Sequence, residues 1–297
     1  MGELAALATA VLWMLTSIFF TIGGREVGSV VVNRVRLVLA IVLLMLTHLI
    51  LQGTLFPVFV EPERWFWLGL SGIIGLVVGD AFLFQAFVLV GPRLSMLMMS
   101  LVPVISTIIA WVFLGERLSW LEIGAVSLTV GGIAWVVLER DDTPIQADRR
   151  QYILGILAGL AGAVGQALGL VAAKKGLAGD FSVLSGVLLR MVVAAVVMWG
   201  MAAVQGQIRP TLSALRHNPY ALKMIVAGSV VGPFLGVWVS LIAVNLARVG
   251  IAATLMALTP IFVLPAAHWV FKENISARAI FGTLVALTGV ALIFMFS

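Results

Sequence analysis

The chain has 297 residues, 62% hydrophobic and 10% charged, with 18 Lys and Arg against 13 Asp and Glu. An ordinary soluble domain is about 25% charged, and a water-facing surface could not give cover to so much apolar material. The absence of Cys excludes a disulfide framework and a thiolate metal site; His48, His217 and His268 form no ligand motif, and the basic residues sit singly between apolar runs rather than along a face that would grip nucleic acid.

Lipid removes the need for polar cover. In hydrocarbon the backbone must satisfy its own hydrogen bonds, so only helices and closed barrels span it. Barrel strands would appear as alternating segments of about ten residues, whereas the apolar runs here are long and continuous. Dividing the chain at charges, Pro and Gly clusters predicts ten spans of bilayer length: 4–22, 31–51, 66–90, 94–114, 120–138, 152–173, 182–204, 222–246, 251–271 and 277–296. No basic segment precedes the first span, which therefore reads as a membrane helix and not as a cleaved signal. The polar stretch 139–151 reads as a linker, and 205–219 has the apolar spacing of a short surface helix.

The two sides of the linker read as copies. Pro103 and Pro260, Glu116 and Glu273, Ser119 and Ser276, and Gly132 and Gly289 all stand 157 residues apart, and Gly75 matches Gly232 at the same offset. Arg36-Leu-Val-Leu-Ala aligns with Arg190-Met-Val-Val-Ala at 154. The expected fold is an all-α membrane protein of ten transmembrane helices in two inverted five-helix repeats: 1–138, the linker 139–151, and 152–297. An odd number of crossings per copy makes the second copy enter from the opposite side, and the substrate site is then expected at mid-membrane between the repeats.

A proline in span four, a Glu thirteen residues later and Leu-Ser opening span five together resemble the EamA domain of the drug/metabolite transporter superfamily. The second half repeats the pattern, with Lys272 where the family's usual Gly-Glu pair has Gly. Arg36 and Arg190, early in spans two and seven, are also similar to that family. The resemblance implies a ten-helix carrier of small organic molecules with both termini cytoplasmic; it does not name the molecule.

Asp80 is the sharpest candidate for function, because it is the only acidic residue well inside an apolar run. A charge at the bilayer centre costs about 2.5–3.5 kcal/mol on insertion scales and by default marks a pathway or a relay. Two readings stand: a site for a coupling proton or a substrate amine, or a locally bonded carboxyl at a helix break beside Gly79. Gln85 is its expected partner, or else interhelical glue. Trp13 and Gln166 occupy equivalent positions at an offset of 153, and with Ser17, Trp238 and Asn245 they outline a cavity suited to an amphipathic solute. Pro103 and Pro260 are expected to kink their helices. Arg36 and Arg190 either snorkel to headgroups or form a pair of cationic gates, one near each face, attracting anionic solutes. Glu116 and Glu273, beside Arg117 and Lys272, read as interfacial ion pairs, and Ser119 and Ser276 as helix caps.

Orientation is contested. With the termini cytoplasmic, the cytoplasmic loops hold five Lys and Arg and the opposite loops eleven, which the positive-inside rule reads the other way round. The expected function is secondary transport of a small organic metabolite by alternating access, in the export direction, across the plasma (inner) membrane, with lipid as surroundings and a proton as coupling partner. Neither a cofactor nor a metal is called for. The alternatives are an intramembrane lipid-processing enzyme or lipid translocator, which would need clustered His, Asp and Glu at depth, and a channel, which would need a carbonyl filter or a charge ring.

Overall fold

The computed structural model describes residues 1–102, 104–105, 108–109, 119–138, 149–246, 255–256 and 258–296. All regular structure among them is helical. The helices are α1 (Gly2–Val27), α2 (Ser29–Gln52), α3 (Pro62–Ser71), α4 (Asp80–Met99), α5 (Trp120–Val137), α6 (Arg149–Gly176), α7 (Val183–Val204), α8 (Ile208–His217), α9 (Pro219–Ser229), α10 (Val237–Leu246), α11 (Thr259–Phe271) and α12 (Ala277–Phe296). Among the described residues, six helical stretches are long and apolar enough to cross a membrane, and 123–136, 259–271 and 277–292 are shorter apolar helices. The outward faces are greasy, with Ile50 80% and Val204 91% exposed. Arg36, Asp80 and Asn33 lie inside. Such a distribution is stable only in lipid.

Pro62 to Met99 runs as one helical stretch of 38 residues. At 1.5 Å per residue it would reach about 57 Å, nearly twice the hydrocarbon thickness. Gly91 breaks it, with φ 78° and ψ 172°, immediately before Pro92. Glycine tolerates that backbone and proline cannot continue the hydrogen-bond ladder, so the break falls in the gap that the sequence leaves between spans three and four.

Two π-helical turns interrupt the bundle, Gly72–Gly79 before α4 and Val230–Gly236 before α10. They occupy corresponding places in the two copies, since Gly79 and Gly236 stand 157 apart. π turns concentrate at functional positions, because the widened ring re-aims backbone groups. Packing around them is reciprocal. A Cβ on Gly79 would lie 3.2 Å from the Gln166 nitrogen, and one on Gly236 would lie 3.0 Å from the Trp13 indole nitrogen. α6 thus crosses onto the first π turn as α1 crosses onto the second. The same exchange joins α5 to α12: a Cβ on Gly132 would meet the Ala286 nitrogen at 2.5 Å, and one on Gly289 the Thr129 nitrogen at 2.6 Å. Contacts that swap equivalent residues are the mark of a two-fold relation, and the glycines let backbones approach where lipid offers no hydrophobic drive.

The stretch 205–219 contains the surface helix α8, with Thr211 and Leu215 turned inward. Ser276 caps α12, its Oγ accepting from the Ala279 N–H at 2.9 Å. Pro260 stands in the first turn of α11, directly after the turn at Leu258, where the missing N–H costs nothing; the proline inside that helix is Pro265. Pro103, Glu116 and Arg117 lie outside the described residues.

Candidate functional site

Asp80 opens α4 directly after the first π turn and is 5% exposed. Its carboxylate forms an ion pair with Arg36 of α2 and accepts a hydrogen bond from the Gln166 amide of α6. The supporting shell is continuous. Arg36 Nε donates to Asn33 Oδ1 at 3.0 Å, and Asn33 Nδ2 donates to the Leu76 carbonyl at 3.1 Å. Gln166 Nε2 also donates to the Gly75 carbonyl at 3.3 Å. The π turn is therefore read twice, by a side chain from each copy. The Arg36 guanidinium lies 4.8 Å from the centre of the Phe84 ring, which stacks on Phe87 and packs against Phe20. Buried cations gain from an aromatic face when water is excluded.

Arg190 of α7 comes to the same place. A Cβ on Gly75 would lie 3.5 Å from the Arg190 guanidinium and 3.8 Å from Gln166 Oε1. Arg190 interacts electrostatically with Asp80, but its Nε is buried with no hydrogen-bond partner. At Gly72 a Cβ would strike the Arg190 carbonyl oxygen at 2.4 Å, so α7 and the π turn touch backbone to backbone. Two guanidinium groups therefore surround one carboxylate.

From the sequence, Arg36 and Arg190 are expected either to snorkel to headgroups or to stand apart as gates near opposite faces. The fold instead brings both to Asp80, because α2 and α7, and the π turn with them, share the apolar core of Leu37, Val77, Leu188 and Met191. Gln85 does not join them; it accepts from Ser29 Oγ at 2.7 Å, and Gln166 takes the place expected for it. Ser17 is fully buried and bonds within its own helix, to the Met14 carbonyl at 2.7 Å. Trp238 packs against Phe234 with the rings tilted by 50° and their centres 5.8 Å apart. With Leu43, Leu46 and Thr47 these two line an apolar crevice of about 240 Å³ on the flank of α2. The Asn245 side chain lies outside the described residues. Asn33 and Phe84 escaped the sequence reading, although Asn33 and Arg36 stand three apart on one helical face.

A second buried pair lies toward one end of the bundle, where Arg93 Nε donates to Glu273 Oε2 at 3.1 Å. Arg25 lies close by, over the Phe271 ring at 4.7 Å. Glu273 thus pairs across to the segment after Gly91 and not with its neighbour Lys272, which is exposed at φ 54° in the left-handed turn ending α11. Among the described residues no group of three His, Cys, Asp or Glu could hold a metal ion.

Fold and site together define an integral, multi-pass helical membrane protein whose two homologous parts meet over buried charges. The chain belongs to the EamA-like transporter family, whose family model matches residues 1–138 and again 153–295. Comparison with curated proteins finds no match. The fold is similar to that of a protein of known crystal structure, described only as "Crystal structure of protein", with a TM-score of 0.59 at 17% identity over 98% of this chain and 95% of that one.

Proposed function

We propose that the protein is a secondary transporter that moves a small organic solute across the plasma (inner) membrane, in the export direction, by alternating access. Ten crossings are arranged as two inverted five-helix repeats, 1–138 and 152–297, with the polar linker between them. The observation that carries this reading is the bond between Asp80 and Gln166, which ties one repeat to the other at a buried charge. A charge of that kind is expensive in lipid and is retained for a pathway or a relay.

Asp80 is also the coupling group. Protonating its carboxyl removes the charge that holds Arg36 and weakens the hydrogen bond from Gln166, so proton binding loosens the clasp across which the halves must rock. Transport of labelled solutes into proteoliposomes tests the reading. Saturable uptake with counterflow is expected. Flux that never saturates would indicate a pore, and chemical conversion without translocation would indicate an enzyme.

A further inference from the structure

The charges at the site do not balance, and the imbalance says what the site takes. Arg36 is matched by Asp80. Arg190 is not: its Nε is sealed from solvent without a hydrogen-bond partner, and it faces Asp80 without forming an ion pair among the described residues. Asp80 has already committed its oxygens to Arg36 and Gln166. Among the described helices packed around the site, no second acid supplies the missing charge. In α1, α2, α6, α7 and the two π turns, the acidic residues are Glu3 and Glu26, at opposite ends of α1. In α3 and α4, beyond Asp80, there is only Glu63, in the first turn of α3.

A guanidinium inside a helical bundle without a matching anion is costly, and neutral neighbours do not recover the cost. Gly75 brings no side chain between Arg190 and Gln166: a Cβ there would lie in van der Waals contact with the Arg190 guanidinium at 3.5 Å and with Gln166 Oε1 at 3.8 Å. A planar guanidinium presents paired N–H donors that match a carboxylate. At the Arg36 end of the same charge cluster, the centre of the Phe84 ring lies 4.8 Å from the guanidinium and the ring packs against Phe20, an aromatic wall.

We infer that Arg190 binds the carboxylate of the transported solute, and that the solute class is a small organic monocarboxylate with an apolar or aromatic body. The solute's charge then takes the place that Asp80 cannot fill for both arginines. The inference rests on the transport reading and narrows it to one substrate chemistry.

The test uses the purified full-length protein and uncharged analogues matched in shape. Thermal unfolding in detergent is measured with phenylacetate against phenylacetamide, benzoate against benzamide and propionate against propionamide, for the wild type, Arg190→Gln and Arg190→Lys. At least one acid should raise the unfolding temperature where its amide does not. Arg190→Gln should weaken that binding at least about tenfold, the range for a charge-assisted bond, and Arg190→Lys, which keeps the charge without the fork, should restore part of it. The inference is overturned if no acid is preferred to its amide, or if Arg190→Gln keeps the preference. Should Arg190→Gln fail to fold, the wild-type and Arg190→Lys comparison of acid with amide decides alone. Flux of the same compounds in proteoliposomes separates the two ideas: acid binding without flux removes the transport reading and leaves the anion site, whereas transport restricted to the amides removes the anion site and leaves the transporter.

Discussion

Replacing Asp80 by Asn keeps the shape of the side chain and removes its charge. Arg36 and Asp80 are each about 5% exposed, so solvent screens neither of them. Removing one partner of a buried pair costs about 3–5 kcal/mol, because the other charge is left uncompensated. Here the cost has a second source, since the Arg190 guanidinium beside Gly75 then faces Arg36 with no anion between them. Two consequences distinguish this arrangement from an ordinary pair. Asp80→Asn/Arg36→Gln should recover part of the loss, and so should Asp80→Asn/Arg190→Gln, although Arg190 forms no bond to Asp80. Reversible unfolding in mixed micelles gives the four stabilities needed for each cycle, with coupling energies of at least about 1 kcal/mol expected for residues in one network. Strict additivity between Asp80 and Arg190 would show that the three charges do not act as a unit and would sink the account of the site.

In proteoliposomes, Asp80→Asn should abolish uptake driven by a pH gradient and spare exchange of solute for solute; unchanged pH dependence would remove the coupling role. Gly72→Ala should cost about 1–3 kcal/mol, as overpacking does, because the new methyl meets a backbone carbonyl at 2.4 Å, whereas Gly200→Ala, with nothing within 4 Å, should be neutral or slightly stabilising in the same unfolding assay. Equal effects at the two glycines would contradict the packing described. Orientation is open to cysteine mapping, since the chain has no Cys of its own. Arg34 to Thr211, Asn218 to Glu26 and Arg93 to Glu273 tie the basic loops to one end of the bundle, and the positive-inside rule predicts that this end is cytoplasmic. Gln207→Cys should then be protected from an impermeant maleimide in intact cells and Glu63→Cys labelled; the reverse pattern would restore the topology that the family resemblance implies.

Among the described residues the sequence alone determined which stretches are helical, because hydrocarbon admits little else and Gly, Pro and charges punctuate the apolar runs. The gap between spans three and four became the Gly91 break, and the stretch 205–219 became α8. The duplication was equally legible, since an offset of 157 is a property of the sequence. Asp80 stood out because a single carboxyl in an apolar run has no cheap explanation in lipid. Its partners did not. Arg36 is 44 residues away and Gln166 is 86, and no periodicity links residues on helices that meet only in the folded bundle. Read singly, Arg36 and Arg190 could snorkel to headgroups; only packing of α2 and α7 around the π turn turns both of them inward. The π turns themselves were invisible, because a run such as Gly72–Gly79 winds as an α-helix unless a neighbouring backbone holds it open. Local pattern fixes helices one at a time, while a charge cluster is a property of which helices lie side by side, and that is decided by contacts distant in sequence.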